Sequence, residues 1–287
     1  MMRTAIVTDS TAYISPDLRK KYSIHVIPLS VVFGKEAYRE EVELTVSDFY
    51  EMVGKEGALP TTSQPSVGEF VELYKELSKS YETVVSIHLS SGISGTAQGA
   101  QAAGQMVEGI DVHVFDSEIS CMIQGFYVLE AAKKAQKGAD VNEIMSHLEA
   151  LRPTSNAYFM VDDLAHLQRG GRLSGAQAFI GGLLQVKPIL HFVNKKIAPF
   201  EKIRTKKKAI KRLEELLSEA VEREPALQAV IIHANREEEV EAWKNQLAAA
   251  HPSVTFYLSY FGPVIGTHLG EGALGMGWMK KSEESGC

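Results

Sequence analysis

The chain has 287 residues, 45% of them hydrophobic and 23% charged, which is the balance of a folded chain with ample core. Its formal charge of −6 and pI near 5.9 give no long-range attraction for nucleic acid or an anionic membrane. It lacks the run of about 18 apolar residues that a membrane-spanning helix needs, and its two cysteines, Cys121 and Cys287, have no CxxC spacing, so free thiols are expected.

Residues 4–8 read as a short strand running into Asp9-Ser10-Thr11. No apolar signal segment precedes it, and a cytoplasmic location is expected. In open α/β sheets ligands sit beyond the carboxyl ends of strands. Asp9, Ser10 and Thr11 are therefore either part of a binding rim or caps for the helix expected near 16–21. Residues 25–33 read as a second strand, with Pro28 inside it marking an edge or a bulge. Residues 34–43 are polar, a hairpin or loop. Thr45 with Asp48 approaches a capping box for the helix that follows. In Leu59-Pro60-Thr61-Thr62-Ser63-Gln64-Pro65-Ser66, two prolines bracket four hydrogen-bonding side chains. Proline biases its predecessor to extended geometry, so this is a stiff loop that fixes hydroxyls, or else a surface turn. Ser66 then caps a helix to about residue 78.

Residues 83–89 form an apolar run typical of a buried strand, and 97–107 read as a helix rich in Ala and Gln. Between them lies Ser90-Ser91-Gly92-Ile93-Ser94-Gly95-Thr96. The first N–H groups of a helix lack intrahelical partners, and the helix dipole makes that end positive. With glycines allowing close approach, the turn can hold an anion. Ser94 either joins such a site or simply caps the helix. The turn is no P-loop, since no Lys follows Gly95, and no nucleophile elbow, since Thr96 stands where the second Gly belongs. It is not G-x-G-x-x-G, which argues against a dinucleotide. A strand at 111–117 and helices at 120–137 and 140–151 complete a βαβα alternation, the signature of a mostly parallel sheet flanked by helices.

A domain junction is expected at 153–156, giving an N-terminal α/β domain over 1–155 and a C-terminal α/β domain over 156–287. The second begins with a strand at 156–161 and a short helix at 162–168 ending in Arg169-Gly170-Gly171-Arg172. Residues 175–184 are small and apolar, suited to close packing or to lining a cavity. Residues 187–204 read as two strands joined near Asn194-Lys195-Lys196, followed by an amphipathic helix to about 224. Lys202, Arg204, Lys206, Lys207, Lys208, Lys211 and Arg212 cluster there, as a solvated face or a partner-docking patch. A strand at 227–234, a helix at 237–249 and a strand at 254–259 precede a second glycine-rich loop at 262–275. This loop contains His268 among small residues. No other His or Cys lies at ligand spacing, so no metal is expected.

Five of these features in order, Val7-Thr8-Asp9-Ser10, Thr62-Ser63-Gln64-Pro65, the 90–96 turn, Arg169-Gly170-Gly171-Arg172, and Gly262-Pro263 through Gly266-Thr267-His268 to Gly272-Ala273-Leu274-Gly275, resemble the DegV family of bacterial fatty-acid-binding proteins over nearly the whole chain. The resemblance implies two α/β domains with a long-chain fatty acid buried between them and no cofactor. It implies a carboxylate held by Thr62, Ser94 and His268, with Arg172 rather than Arg169 nearby and Ser63, Gly95, Thr96 and Thr267 in support. It further implies a carrier without catalytic turnover that presents the acid to a separate fatty acid kinase for acyl-phosphate formation in phospholipid synthesis. A monomer is expected, and the oligomeric state and a transient membrane contact are left open by the sequence. Arg204, Lys206, Lys207 and Lys208 are the candidate docking residues. The alternatives are a hydrolase using Ser94 with His268 on a lipid-like ester, and a lipid-sensing regulatory module.

Overall fold

The computed structural model describes residues 4–56, 59–174 and 188–282. In chain order its elements are β1 (Thr4–Asp9), α1 (Pro16–Tyr22), β2 (Ile24–Ile27), β3 (Ser30–Phe33), β4 (Glu36–Arg39), α2 (Val46–Glu56), β5 (Thr61–Ser63), α3 (Val67–Leu77), β6 (Thr83–His88), α4 (Thr96–Gly104), β7 (Asp111–Asp116), α5 (Cys121–Gln136), α6 (Val141–Leu151), β8 (Asn156–Met160), α7 (Ala165–Arg169), β9 (Ile189–Val193), β10 (Lys196–Glu201), α8 (Lys206–Arg223), β11 (Leu227–His233), α9 (Glu237–Ala250), β12 (Thr255–Tyr260), α10 (Pro263–Leu269) and β13 (Leu274–Lys280).

The N-terminal sheet has order β2-β1-β6-β7 and is parallel throughout. Its central strand β6 is buried along its whole length, as a strand covered on both faces must be. The helix starts follow local chemistry. Ser66 and Glu69 form a reciprocal capping box on α3, and Asp140 and Glu143 do the same on α6. Thr45 Oγ1 donates to Asp48 Oδ2 at 2.6 Å and accepts from its N–H at 3.2 Å.

The expected single strand at 25–33 is two. Pro28 has no N–H to give a ladder, so β2 stays in the parallel sheet while β3 leaves it to form a small antiparallel sheet, β4-β3-β5. That departure places Thr62 opposite Val31 on a short strand, not in a free loop.

The second domain is built on a six-stranded mixed sheet, β10-β9-β8-β13-β11-β12. Strand β13 lies in its middle, antiparallel to both β8 and β11. It was not anticipated, because Leu274-Gly275-Met276-Gly277-Trp278 reads as the tail of a glycine-rich loop. The glycines are there for packing: a Cβ on Gly277 would collide with Ile123 of α5. The first half of the 262–275 loop is likewise regular structure, helix α10 at Pro263–Leu269. The small apolar segment at 175–184 lies outside the described residues.

Helix α5 joins the two domains. Residues Cys121 to Ala132 are all buried, as a helix embedded on every side must be. One side packs on β1 and β6, another on β11 and β13. Among the described residues no helix is long and apolar enough to cross a membrane.

Candidate functional site

Four elements converge on one cavity of about 270 Å³, near the lower end of the roughly 300–1,000 Å³ usual for small-molecule sites. Strand β5 brings Thr62, the turn before α4 brings Ser94, the segment after α7 brings Arg172, and α10 brings His268. These polar groups gather with Ser63 and Gln64. The rest of the wall is apolar, from Ile93 and Leu89 through Ile123 of α5 to Phe159, Phe192 and Met276 of the second sheet. The cavity therefore has polar groups from both domains and a long hydrocarbon-like lining.

Thr62 Oγ1 and His268 Nε2 are 2.8 Å apart. His268 Nδ1 is buried and has no hydrogen-bond partner. It rests against Gly170, where any side chain would strike the ring. Burial, then the charges of Arg172 and His166, lowers His268 from 6.5 to about 4. The imidazole is therefore neutral at pH 7, with one N–H to give. Arg172 reaches across the domains: its Nε donates to Ile93 O at 3.3 Å and its Nη1 to Gly170 O. Arg169 does not line this cavity; it lines an adjoining cleft of about 260 Å³ with His166 and Thr267.

The Ser94 hydroxyl is 2.9 Å from Thr96 Oγ1 and accepts from Thr96 N at 3.4 Å. The N-cap of α4 is Gly95, not Ser94, so Ser94 faces the cavity one residue ahead of the cap. Gln64 Nε2 donates to Gly95 O at 3.3 Å, which ties the 62–65 segment to the turn. Gly95 and Thr96 stand behind the wall and do not line it. Thr267 also stands behind it, its hydroxyl spent on Pro263 O at 2.9 Å within α10.

Asp9, Ser10 and Thr11 do not reach the rim. Asp9 is fully buried, accepts from Thr11 N–H and Oγ1, and caps a single 3₁₀ turn. It also faces His88 Nδ1 at 3.0 Å, and His88 Nε2 is 2.7 Å from Ser86 Oγ. This Asp-His-Ser order has the spacing of a hydrolytic triad. All three side chains are wholly buried, and Ser86 is bonded onward to Tyr74 at 2.8 Å. No substrate reaches it, so it is a polar relay inside the core. The Ser94 and His268 side chains are each paired elsewhere, which disfavours a nucleophile–base pair between them.

Sequence reasoning missed the groups that seat α10. The N–H of Val264 donates to Glu40 Oε1 at 2.8 Å, the N–H of Ile265 to Tyr13 OH at 3.4 Å, and Tyr50 OH donates to Phe261 O at 2.8 Å. The first-turn donors of a helix need such partners, and here they come from the other domain. Nothing in the polar stretch 34–43 marks Glu40 out. The basic cluster is largely neutralised: Lys206 pairs with Glu239, and Arg212 with Glu201, Glu215 and Glu219. Arg204, Lys207 and Lys208 are exposed.

The DegV family model, which describes an uncharacterised protein, matches residues 3–281. Protein DegV of Bacillus subtilis is 62% identical, over 98% of this chain and all of that one. The crystal structure of DegV from Bacillus subtilis, described as a fatty acid binding protein, superposes with a TM-score of 0.94 at 61% identity, covering 98% and 100% of the two chains. A DegV family protein from Thermus thermophilus, described by its fatty acid binding, superposes with a TM-score of 0.91 at 32% identity and the same coverage. The chain belongs to the DegV family.

Proposed function

We propose that this cavity binds a long-chain fatty acid, with the carboxylate among Thr62, Ser94, His268 and Arg172 and the acyl chain along the apolar wall. The observation that carries the reading is the union of the Thr62–His268 pair, Ser94 and Arg172 with an apolar lining in one cavity. Similar proteins from Bacillus subtilis and Thermus thermophilus, described as fatty acid binding, support it. A carboxylate buried without partners is costly, and hydrogen bonds to a charged group return about 1.5–3 kcal/mol each. A neutral His268 that donates Nε2–H to Thr62 Oγ1 leaves the threonine proton free for the carboxylate. Ser94 and Arg172 supply further donors. About 14 methylenes at ~0.8 kcal/mol each contribute roughly 11 kcal/mol, from which association takes back about 4 or more. The result is a tight, reversible complex.

The same reading divides the chain at 155/156 and makes it a cytoplasmic monomeric carrier. A separate fatty acid kinase phosphorylates the presented carboxylate. Arg204, Lys207 and Lys208, the exposed ones of the four docking candidates, are the better candidates for docking that kinase, since Lys206 already pairs with Glu239. Native mass spectrometry of the purified protein tests the first step. A mass increment equal to one fatty acid, released by denaturation, is expected. A bare chain that also fails to take up added palmitate or oleate overturns the reading.

A further inference from the structure

We propose that Glu40 is a positioning residue of the acid-binding site, the group through which the N-terminal domain sets where His268 stands. This rests on the fatty-acid reading of the cavity.

Glu40 follows β4 and is completely buried. Its Oε2 accepts from Ser10 Oγ at 2.5 Å, and its Oε1 from Tyr13 OH at 3.0 Å and from the N–H of Val264 at 2.8 Å. Tyr13 OH in turn accepts from the N–H of Ile265. Pro263 has no N–H, so Glu40 and Tyr13 together take the next two donors at the start of α10. His268 is one turn beyond Val264 on the same short helix. A helix of seven residues transmits a shift at its first turn directly to its last. The approach is close: a Cβ on Gly262 would strike the Tyr13 ring and crowd the Glu40 carboxylate.

The charge of Glu40 has no cation to meet it. Among the described residues no Lys, Arg or His forms an ion pair with it, and the neighbouring Arg19 pairs with Glu41. The other titratable groups around it are Tyr13, Tyr50 and the Cys121 thiol, all acids. Burial, and to a lesser degree Glu41, therefore raises Glu40 to about 7 against the pull of its hydrogen bonds. A carboxyl held this way is an expensive tie between two elements. Its position at the foot of the His268 helix gives that expense a purpose: it fixes the ring that Thr62 must meet at 2.8 Å.

The test compares palmitate with hexadecanol, which shares the chain but lacks the acid, by displacement of a fluorescent fatty acid. Imidazole NMR of the labelled full chain is recorded in parallel. Glu40→Ala is expected to weaken palmitate about tenfold while leaving hexadecanol within about twofold. It should move the His268 resonance and leave that of His113 in place. Glu40→Gln, which keeps an acceptor for Val264, is expected to restore most of the palmitate affinity. Should Glu40→Ala fail to fold, Tyr13→Phe carries the test, with a selective palmitate loss of about threefold. Equal loss for acid and alcohol, or unchanged palmitate binding, overturns the proposal while the cavity reading stands. A wild-type chain that binds neither lipid overturns the cavity reading and this proposal with it.

Discussion

Burial and the charges of Arg172 and His166 hold His268 down to about 4, while burial lifts Glu40 to about 7. An imidazole lowered from 6.5 binds fewer protons in the folded state, so its contribution to stability grows as pH rises from about 4 to 6.5. A carboxyl raised from 4.5 binds more, so its contribution declines as pH rises from 4.5 to about 7. Each span corresponds to roughly 3 kcal/mol, and the two slopes oppose each other over nearly the same window. Urea denaturation should therefore show His268→Gln losing stability relative to wild type as pH rises through that window, and Glu40→Gln gaining it. Parallel profiles for all three proteins would place neither group where the structure has it. At the site itself, Thr62→Val removes the hydroxyl that meets His268 Nε2 and is expected to weaken palmitate about tenfold. An isothermal titration that shows no change would take Thr62 out of the head-group site. Local patterns of glycine, proline and hydroxyl residues drew attention to Thr62, Ser94, Arg172 and His268 one by one, each with a structural alternative, and only the family resemblance joined them into one set. Glu40 drew none, because one acid among the polar residues 34–43 carries no local mark. Its role exists only once α10, more than two hundred residues away, lies against it.

Elements announced by their own capping chemistry were legible: Ser66 marked the start of α3, and Thr45 with Asp48 that of α2, before any tertiary contact is known. Elements shaped by a neighbour were not. Pro28 signalled an irregular strand but not that the chain would change sheets there. Strand β13 was hidden by Gly275 and Gly277, whose loop-like composition is the imprint of α5 and the cavity lying against that face. The alternation of Leu274, Met276 and Trp278, all buried in the second core, is the signal that outweighs the glycines in retrospect. Gly277→Ala tests this account. Its methyl would overlap Ile123 and crowd the Asn156 carbonyl, and the expected cost is about 1–3 kcal/mol. Equilibrium denaturation reads it directly, and an unaltered midpoint would mean that β13 and α5 stand farther apart.

For the molecule as a whole, the two domains that wall the cavity are tied by contacts that cross between them. Ser90 Oγ donates to Lys195 O at 2.7 Å, and Lys195 Nζ pairs with Asp116 at 3.0 Å. Tyr260 OH donates to Glu41 at 2.8 Å, a further tie between the domains. With α5 packed against both sheets in one continuous core, the two domains should melt in one calorimetric transition, and bound palmitate should raise it by several degrees, since a ligand specific for the folded state stabilises by about 2.7 kcal/mol at a hundredfold excess over Kd. Two separated transitions would contradict the shared helix. That helix also decides how a guest gets in. A clamshell opening would strip α5 from one sheet or the other and wet Phe126 and Ile123, at about 1.5–3 kcal/mol for each large side chain uncovered. An acyl chain bound as proposed would therefore have to enter and leave without parting either sheet from α5.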